Sequence, residues 1–255
     1  MNMQGNTILI TGGGSGIGLA LAEALHALGN RVIIAGRRAE PLEEAVAANR
    51  GKGPGMSSAV LDVEDAGAIS DFAAGILRDH PELNVLVNNA GIMRPEDLLA
   101  EPVYLGDAEA MIATNLLGPI RLTAALLPHL KRQASATVIN VTSGLAFVPL
   151  TATPTYNATK AALHSYSQSL RFQLRETPVQ VIEWVPPAVA TDLMPGHAQN
   201  PNSMPLDAFI SESMALLSAN PEAEEICVDD VQRLRNAEKS GQYETVFGAL
   251  NGQAH

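Results

Sequence analysis

One cysteine, Cys227, stands in 255 residues, so no internal disulfide can form, and the chain suits a reducing, cytoplasmic setting. In its acid-flanked segment that thiol reads as a small apolar filler. Basic residues are also short, 16 Lys and Arg against 27 Asp and Glu, for a formal net charge of −11. Nucleic-acid phosphates and anionic membranes both demand a basic face, so neither is expected as a partner. Aromatics are scarce at 4 %, yet apolar residues reach 46 %, enough for a sizeable core of aliphatic side chains. No uninterrupted apolar run of about 18 residues occurs, and no membrane span is expected. The stretch from Met1 to Gly18 lacks a basic segment followed by an apolar core, so no signal peptide is expected. Repeats, low-complexity tracts and a Pro/Gly/Ser linker are missing too, and residues 1–255 read as one domain.

What the chain does have is alternation. Strands are expected at 7–11, 31–35, 59–61, 85–87, 137–141 and 179–185, and helices at 17–28, 40–49, around 69–77, 107–131 and 155–175. In the first helix Ile17, Leu21, Leu25 and Leu28 share a face, and Gly29-Asn30 supplies a C-cap signal. Gly118-Pro119 and Pro128 interrupt the long region at 107–131, where kinks are expected. The strand runs are continuously apolar, the pattern of a sheet covered on both faces. Strand and helix in repeated alternation predict an α/β fold, a parallel, doubly wound sheet of Rossmann type. Such sheets hold ligands outside the carboxyl ends of their strands.

After the first strand come Gly12-Gly13-Gly14-Ser15-Gly16-Ile17-Gly18, opening straight into a helix. Glycines permit a tight turn and let a pyrophosphate approach the helix N-terminus, whose free N–H groups and dipole favour anions. A flexible turn is the bland alternative, but this placement favours a phosphate cradle. After the second strand Gly36 offers no carboxylate to a ribose 2′-hydroxyl, whereas Arg37 and Arg38 offer two guanidiniums. That pair reads as a 2′-phosphate site, with Arg37 nearer the strand, and favours NADP(H) over NAD(H). Asp62, followed by Val63, is equally suited to accept from an adenine amino group or to cap the next helix. Asn88-Asn89-Ala90-Gly91 puts amides and small residues beside the expected cofactor path, where a plain turn is the alternative. Thr142-Ser143-Gly144 brings hydroxyls to the sheet's carboxyl edge, where serine is usually turn chemistry.

Tyr156-Asn157-Ala158-Thr159-Lys160 places a phenol and an ammonium one helical turn apart on one face. A phenol ionises near pH ~10 and is a poor base at neutrality. A fixed cation nearby favours its phenolate. Alone, this spacing usually means a half-buried ring beside a solvated charge. No His/Cys/Asp cluster in the sequence suggests a metal.

Taken in order, Thr11-Gly-x-x-x-Gly16-x-Gly18, Asn88-Asn-Ala-Gly91, Asn115, Ser143 and Tyr156-x-x-x-Lys160 resemble the short-chain dehydrogenase/reductase family over roughly residues 5–195. The texture around 115–150, with Pro186-Pro187, resembles its DltE-type oxidoreductase branch. The resemblance implies hydride transfer between a nicotinamide and a substrate carbon, reducing ketones or aldehydes or oxidising alcohols, with no metal. It implies that Tyr156 is the general acid/base, that Lys160 lowers its pKa and holds the nicotinamide ribose, and that Ser143 binds the substrate oxygen. A kink near Asn115 would free a backbone carbonyl for a water-linked proton relay. Pro186-Pro187-Ala188-Val189-Ala190-Thr191 stands where the family usually shows Pro-Gly-x-Val-x-Thr. Pro186, Val189 and Thr191 carry over as nicotinamide contacts, while Pro187, with fixed φ and no N–H, changes the local backbone.

Family members usually end in a seventh strand with a Gly-rich run, through which many tetramers pair. Here residues 222–251 read as helical, so the seventh strand is expected to be absent or reshaped. A homodimer pairing through the 107–131 and 155–175 helices is expected instead. Residues 192–222, with several prolines and methionines, read as a substrate lid, with ordinary packing against the sheet edge as the blander alternative. Leu145, Pro187 and Met194 join Ser143 and Tyr156 as the expected lining of an apolar substrate pocket. No arginine is apparent there for a carboxylate, so neutral small-molecule carbonyls are favoured. A reductase of carrier-bound 3-oxoacyl groups would need a basic patch that this composition disfavours. A non-catalytic nucleotide sensor would not need Asn115, Ser143, Tyr156 and Lys160 together.

Overall fold

Every side chain of Thr7–Thr11, Val85–Asn88 and Ala136–Val141 is buried. Strands with no wet face must lie between two covering layers. The computed structural model describes residues 1–194 and 196–252; Pro195, inside the stretch read as a lid, and residues 253–255 lie outside it. Its strands are β1 (Thr7–Thr11), β2 (Arg31–Gly36), β3 (Met56–Val60), β4 (Val85–Asn88), β5 (Ala136–Val141), β6 (Val179–Val185) and β7 (Glu225–Cys227). They form one sheet in the order β3-β2-β1-β4-β5-β6-β7, with every pair parallel. The expected doubly wound α/β architecture is the one observed. The order reverses between β1 and β4, which opens a crevice at their carboxyl ends.

Side chains alternate across the sheet: Ile8 and Ile10 enter one apolar cluster and Leu9 the other. The first cluster is roofed by α1 (Gly16–Ala27), α2 (Ala39–Ala48) and α7 (Leu206–Ala219), the second by α3 (Ala66–Asp79), α5 (Gly118–Leu130) and α6 (Pro154–Leu174). The region 107–131 is two helices, α4 (Gly106–Ile112) and α5, joined by a π-helical turn over Ala113–Leu117. The interruption lies just before Gly118-Pro119, whereas Pro128 sits inside α5, which continues to Leu130. Gly106–Leu130 is long and apolar enough to cross a membrane by composition, with mean hydropathy 1.4 in its most apolar window. Leu122, Leu126 and Leu130 nonetheless pack into the second cluster, the role of a core helix.

Of the two alternatives expected at the C-terminus, the seventh strand is reshaped rather than absent. β7 is only three residues long, yet Ile226 is buried and pairs in register with Trp184 of β6. Its acidic flank is neutralised within the protein: Arg235 of α8 (Asp229–Arg235) donates to both oxygens of Glu225 at 2.7 and 2.8 Å. That pairing holds Glu225 below the usual carboxylate range. Helices α8 and α9 (Tyr243–Asn251) then follow, in place of a Gly-rich run. Cys227 is half-buried and its thiol is pushed up to about 12, chiefly by burial, which matches a filler role. Residues 206–219 pack as α7, with Phe209 fully buried 5.9 Å from the Trp184 ring and Ser213 accepting the indole N–H at 3.0 Å. Burying a Phe of this kind contributes roughly 1.5–3 kcal/mol.

Candidate active site

A cavity of about 1070 Å³ runs along the carboxyl ends of the central strands, from the turn after β2 to the segments after β4, β5 and β6. At its middle lies the turn between β1 and α1. Gly12 has φ +68°, and a Cβ there would stand 2.9 Å from Ala90 Cα; a Cβ on Gly18 would meet the Gly12 carbonyl oxygen at 2.3 Å. Only hydrogen fits at either position. Ser15 makes no side-chain cap, so the first N–H groups of α1 have no hydroxyl partner. Thr11 ties this turn to the end of β4: its Oγ1 accepts from the N–H groups of Asn89 and Ala90, each at 3.0 Å. Asn89 Nδ2 donates to the Thr11 carbonyl at 2.9 Å, so the amides after β4 fasten neighbouring loops.

Arg37 and Arg38 are exposed at the cavity's β2 end. Arg37 reaches Glu64 at 3.4 Å, a loose surface pair, while Arg38 has no ion-pair partner among the described residues. Asp62 does not cap α3. That task falls to Asp65, which accepts from the Gly67 and Ala68 N–H groups, while Asp62 closes a tight turn onto the Glu64 N–H at 3.0 Å. Asp62 and Val63 both line the cavity.

At the opposite end Ser143, Tyr156 and Lys160 are all buried on the cavity wall. Pro154 opens α6, which places Tyr156 and Lys160 one turn apart facing the end of β5. Lys160 Nζ donates to the Val141 carbonyl at 2.8 Å and lies 5.6 Å from the Tyr156 ring centroid. Ser143 Oγ accepts from the Leu145 N–H at 3.1 Å, and its hydroxyl is hydrogen-bonded with the Tyr156 phenol. Asn115 is fully buried in the π turn and does not line the cavity. It grips Ile92 on both sides, donating to its carbonyl at 2.8 Å and accepting its N–H at 2.9 Å. In an α-helix the Asn115 carbonyl would take its donor from Pro119, which has no N–H, and the chain winds here as a π turn instead. Leu145 and Pro187 line the cavity, whereas Met194 packs behind the wall with Met93, Met111 and Tyr156. The remaining expected cofactor residues, Gly14, Gly16, Ile17, Gly91, Pro186, Val189 and Thr191, also line it.

Some residues were not legible beforehand. Glu183, in the middle of β6, is fully buried; its carboxylate accepts the Thr142 hydroxyl at 2.8 Å and meets His164 Nδ1 at 2.7 Å. An acid inside the apolar run Val179–Val185 is the signal that could have flagged it. Ligand atoms of His164, Glu183 and Glu225 lie within 4.8 Å of one another, a cluster the sequence did not suggest. Each carboxylate oxygen in it already has a donor, from Thr142, His164 or Arg235. Arg94, Leu234 and Leu250 line the cavity as well, the last two brought by the C-terminal helices.

Burial governs the protonation of the buried pair. Lys160 is lowered to about 8, and Tyr156 is pushed up to about 12, burial outweighing the downward pull of Ser143. The phenol is therefore neutral at neutral pH, against the expectation of a lowered pKa. Because the unfolded lysine holds its proton to higher pH than Lys160 does, the unfolded state binds more protons above pH 8 and stability rises with pH there. Cys227 opposes this from about pH 9 and Tyr156 from about pH 10, where the unfolded thiol and phenol ionise first. Denaturant titrations between about pH 8 and 9 are expected to show a rise in stability that Lys160→Met largely removes.

The family model for short chain dehydrogenases matches residues 6–202. Over 258 aligned residues, 99 % of each chain, the sequence is 40 % identical to the uncharacterized oxidoreductase DltE of Bacillus subtilis (strain 168). An alcohol dehydrogenase of Thermococcus sibiricus, solved with 5-hydroxy-NADP, superposes with a TM-score of 0.77 at 26 % identity, covering 88 % of this chain and 95 % of that one. A short-chain dehydrogenase/reductase of Burkholderia phymatum, solved with NAD, reaches 0.81 at 19 % identity over 96 % of both chains, a likeness of fold. The chain belongs to the short-chain dehydrogenase/reductase family of oxidoreductases, as a DltE-like member.

Proposed function

We propose that the chain is an NADP(H)-dependent reductase of ketones or aldehydes, able to run in reverse as an alcohol dehydrogenase. The observation that carries this is convergence: Ser143, Tyr156 and Lys160 are buried at one end of a cavity whose other reaches hold a glycine cradle and two arginines. The cavity suits a dinucleotide, since Gly12 and Gly18 leave no room for side chains and the uncapped start of α1 offers N–H groups to a pyrophosphate. Arg37 and Arg38 would hold a 2′-phosphate, Asp62 and Val63 the adenine, and Asn89, Ala90 and Gly91 the sugar path. Pro186, Val189 and Thr191 would flank the nicotinamide, and Lys160 its ribose. When bound, the cofactor supplies the hydride.

The chain's own residues manage the proton. With its pKa pushed up to about 12, Tyr156 is a proton donor at neutral pH, matched to a carbonyl oxygen gaining charge. The Lys160 ammonium beside the ring and the Ser143 hydroxyl bonded to the phenol stabilise the negative charge that forms. Low-dielectric surroundings strengthen both effects. We place a homodimer contact on α4 and α6, where Ile112 and Phe172 are large apolar side chains left exposed.

Tyr156→Phe is expected to lower kcat for ketone reduction by about 10²–10⁴-fold, followed by NADPH absorbance, with cofactor affinity retained. Unchanged turnover would remove the catalytic role. Arg37→Asp is expected to move the ratio of kcat/KM for NADPH over NADH by about tenfold or more toward NADH; an unmoved ratio would defeat the 2′-phosphate assignment. Light scattering is expected to report a dimer, and a monomer or tetramer would count against the proposed contact.

A further inference from the structure

We propose that Arg94 forms an anion-binding subsite at the catalytic end of the cavity, and that the substrate is an oxo acid whose carboxylate Arg94 holds. This rests on the reductase reading and names its substrate class. Two anchors fix where Arg94 stands. Two residues before it, Ile92 is gripped by Asn115 on both of its backbone polar groups. Two residues after it, Glu96 accepts the N–H and hydroxyl of Thr155, at 2.8 and 2.7 Å, immediately before Tyr156. Between them Met93 packs against Tyr156, so this stretch of wall belongs to the catalytic end.

The guanidinium itself is half-buried and lines the cavity. One of its N–H groups goes to the Met93 carbonyl at 3.0 Å, and among the described residues no carboxylate lies within 4.0 Å of it. Asp192 shares the cavity wall but is outside that distance. The other wall cations are engaged or remote: Lys160 is bonded to Val141, and Arg37 and Arg38 follow β2. Around the catalytic end stand Leu145, Leu150, Leu193, Leu206, Leu234 and Leu250. A planar cation with spare donors beside an aliphatic wall is complementary to a carboxylate on an alkyl chain. The earlier preference for neutral carbonyls assumed that no arginine faced this space.

Two measurements test the subsite. Calorimetric titration with hexanoate and with hexanamide, at saturating NADP⁺, is expected to show the carboxylate binding about tenfold to a hundredfold tighter, an advantage that Arg94→Gln erases and Arg94→Lys partly restores. Equal affinities, or an advantage that survives Arg94→Gln, would overturn it. In turnover, a medium-chain oxo acid is expected to exceed its methyl ester in kcat/KM, with Arg94→Gln lowering that ratio mainly through the acid's KM; an unmoved ratio would also overturn the proposal. Arginine-dependent hexanoate binding without reduction of any carbonyl would fault the reductase reading and leave the subsite standing.

Discussion

Lys160 is a cation with 4 % of its surface exposed, and it donates to the main-chain carbonyl of Val141. Burying an ammonium is expensive, and the protein accepts that cost where it joins α6 to the end of β5. From that junction the rest follows. α6 is set against the sheet, Tyr156 is brought onto the cavity wall near Ser143, and the strand end that carries Ser143 is held from behind. One turn further along α6, His164 meets Glu183, which in turn receives the hydroxyl of Thr142. Helix and strand end are thus tied twice, once through Val141 and once through Thr142, the two residues just ahead of Ser143.

Much of this was legible in the chain because it depends on short-range rules. Continuous apolar runs with glycine or amide stops locate strand ends, and strand ends in a doubly wound sheet are where ligands gather. The order of elements therefore places Gly12–Gly18, Arg37, Asn89, Ser143 and Tyr156 on one edge before any distance is known. Asp62 shows the limit of such reasoning. Its two roles were chemically equivalent until Asp65 took the helix cap.

What stayed hidden depends on which distant groups meet. β7 lies in a segment that read as helical, and nothing local says that Arg235 will close on Glu225 from the next helix. Glu183 interrupts an apolar strand in a way that looks like an error until His164 and Thr142 arrive from two other elements. Arg94 lies only three residues beyond Gly91, yet its place at the Tyr156 end of the cavity follows from anchors contributed by Asn115 and Thr155. The lysine's effect on the phenol was misjudged for a related reason. Spacing reports the neighbour, but burial, which sequence does not report, sets the net direction.

Pro187 is where the chain departs most from its family's pattern, and the surrounding bonds explain how the fold absorbs it. A proline removes one donor and fixes φ. The bonds that hold this loop do not use that donor: Pro186 accepts from the Gly144 N–H, Ala188 accepts from Met204, and Ala190 donates back to Met204. Val189 and Met204 form an isolated parallel bridge, so the loop after β6 is braced by the segment leading into α7. That brace has a consequence for the site. Pro186 and Val189 are expected to flank the nicotinamide, while Met204 is two residues from Leu206 on the cavity wall. The loop that would flank the cofactor and the wall that would meet the substrate are therefore one hydrogen-bonded unit. A proline at its centre fixes one φ of that unit, which would couple the shape of the proposed substrate chamber to the backbone expected to flank the cofactor.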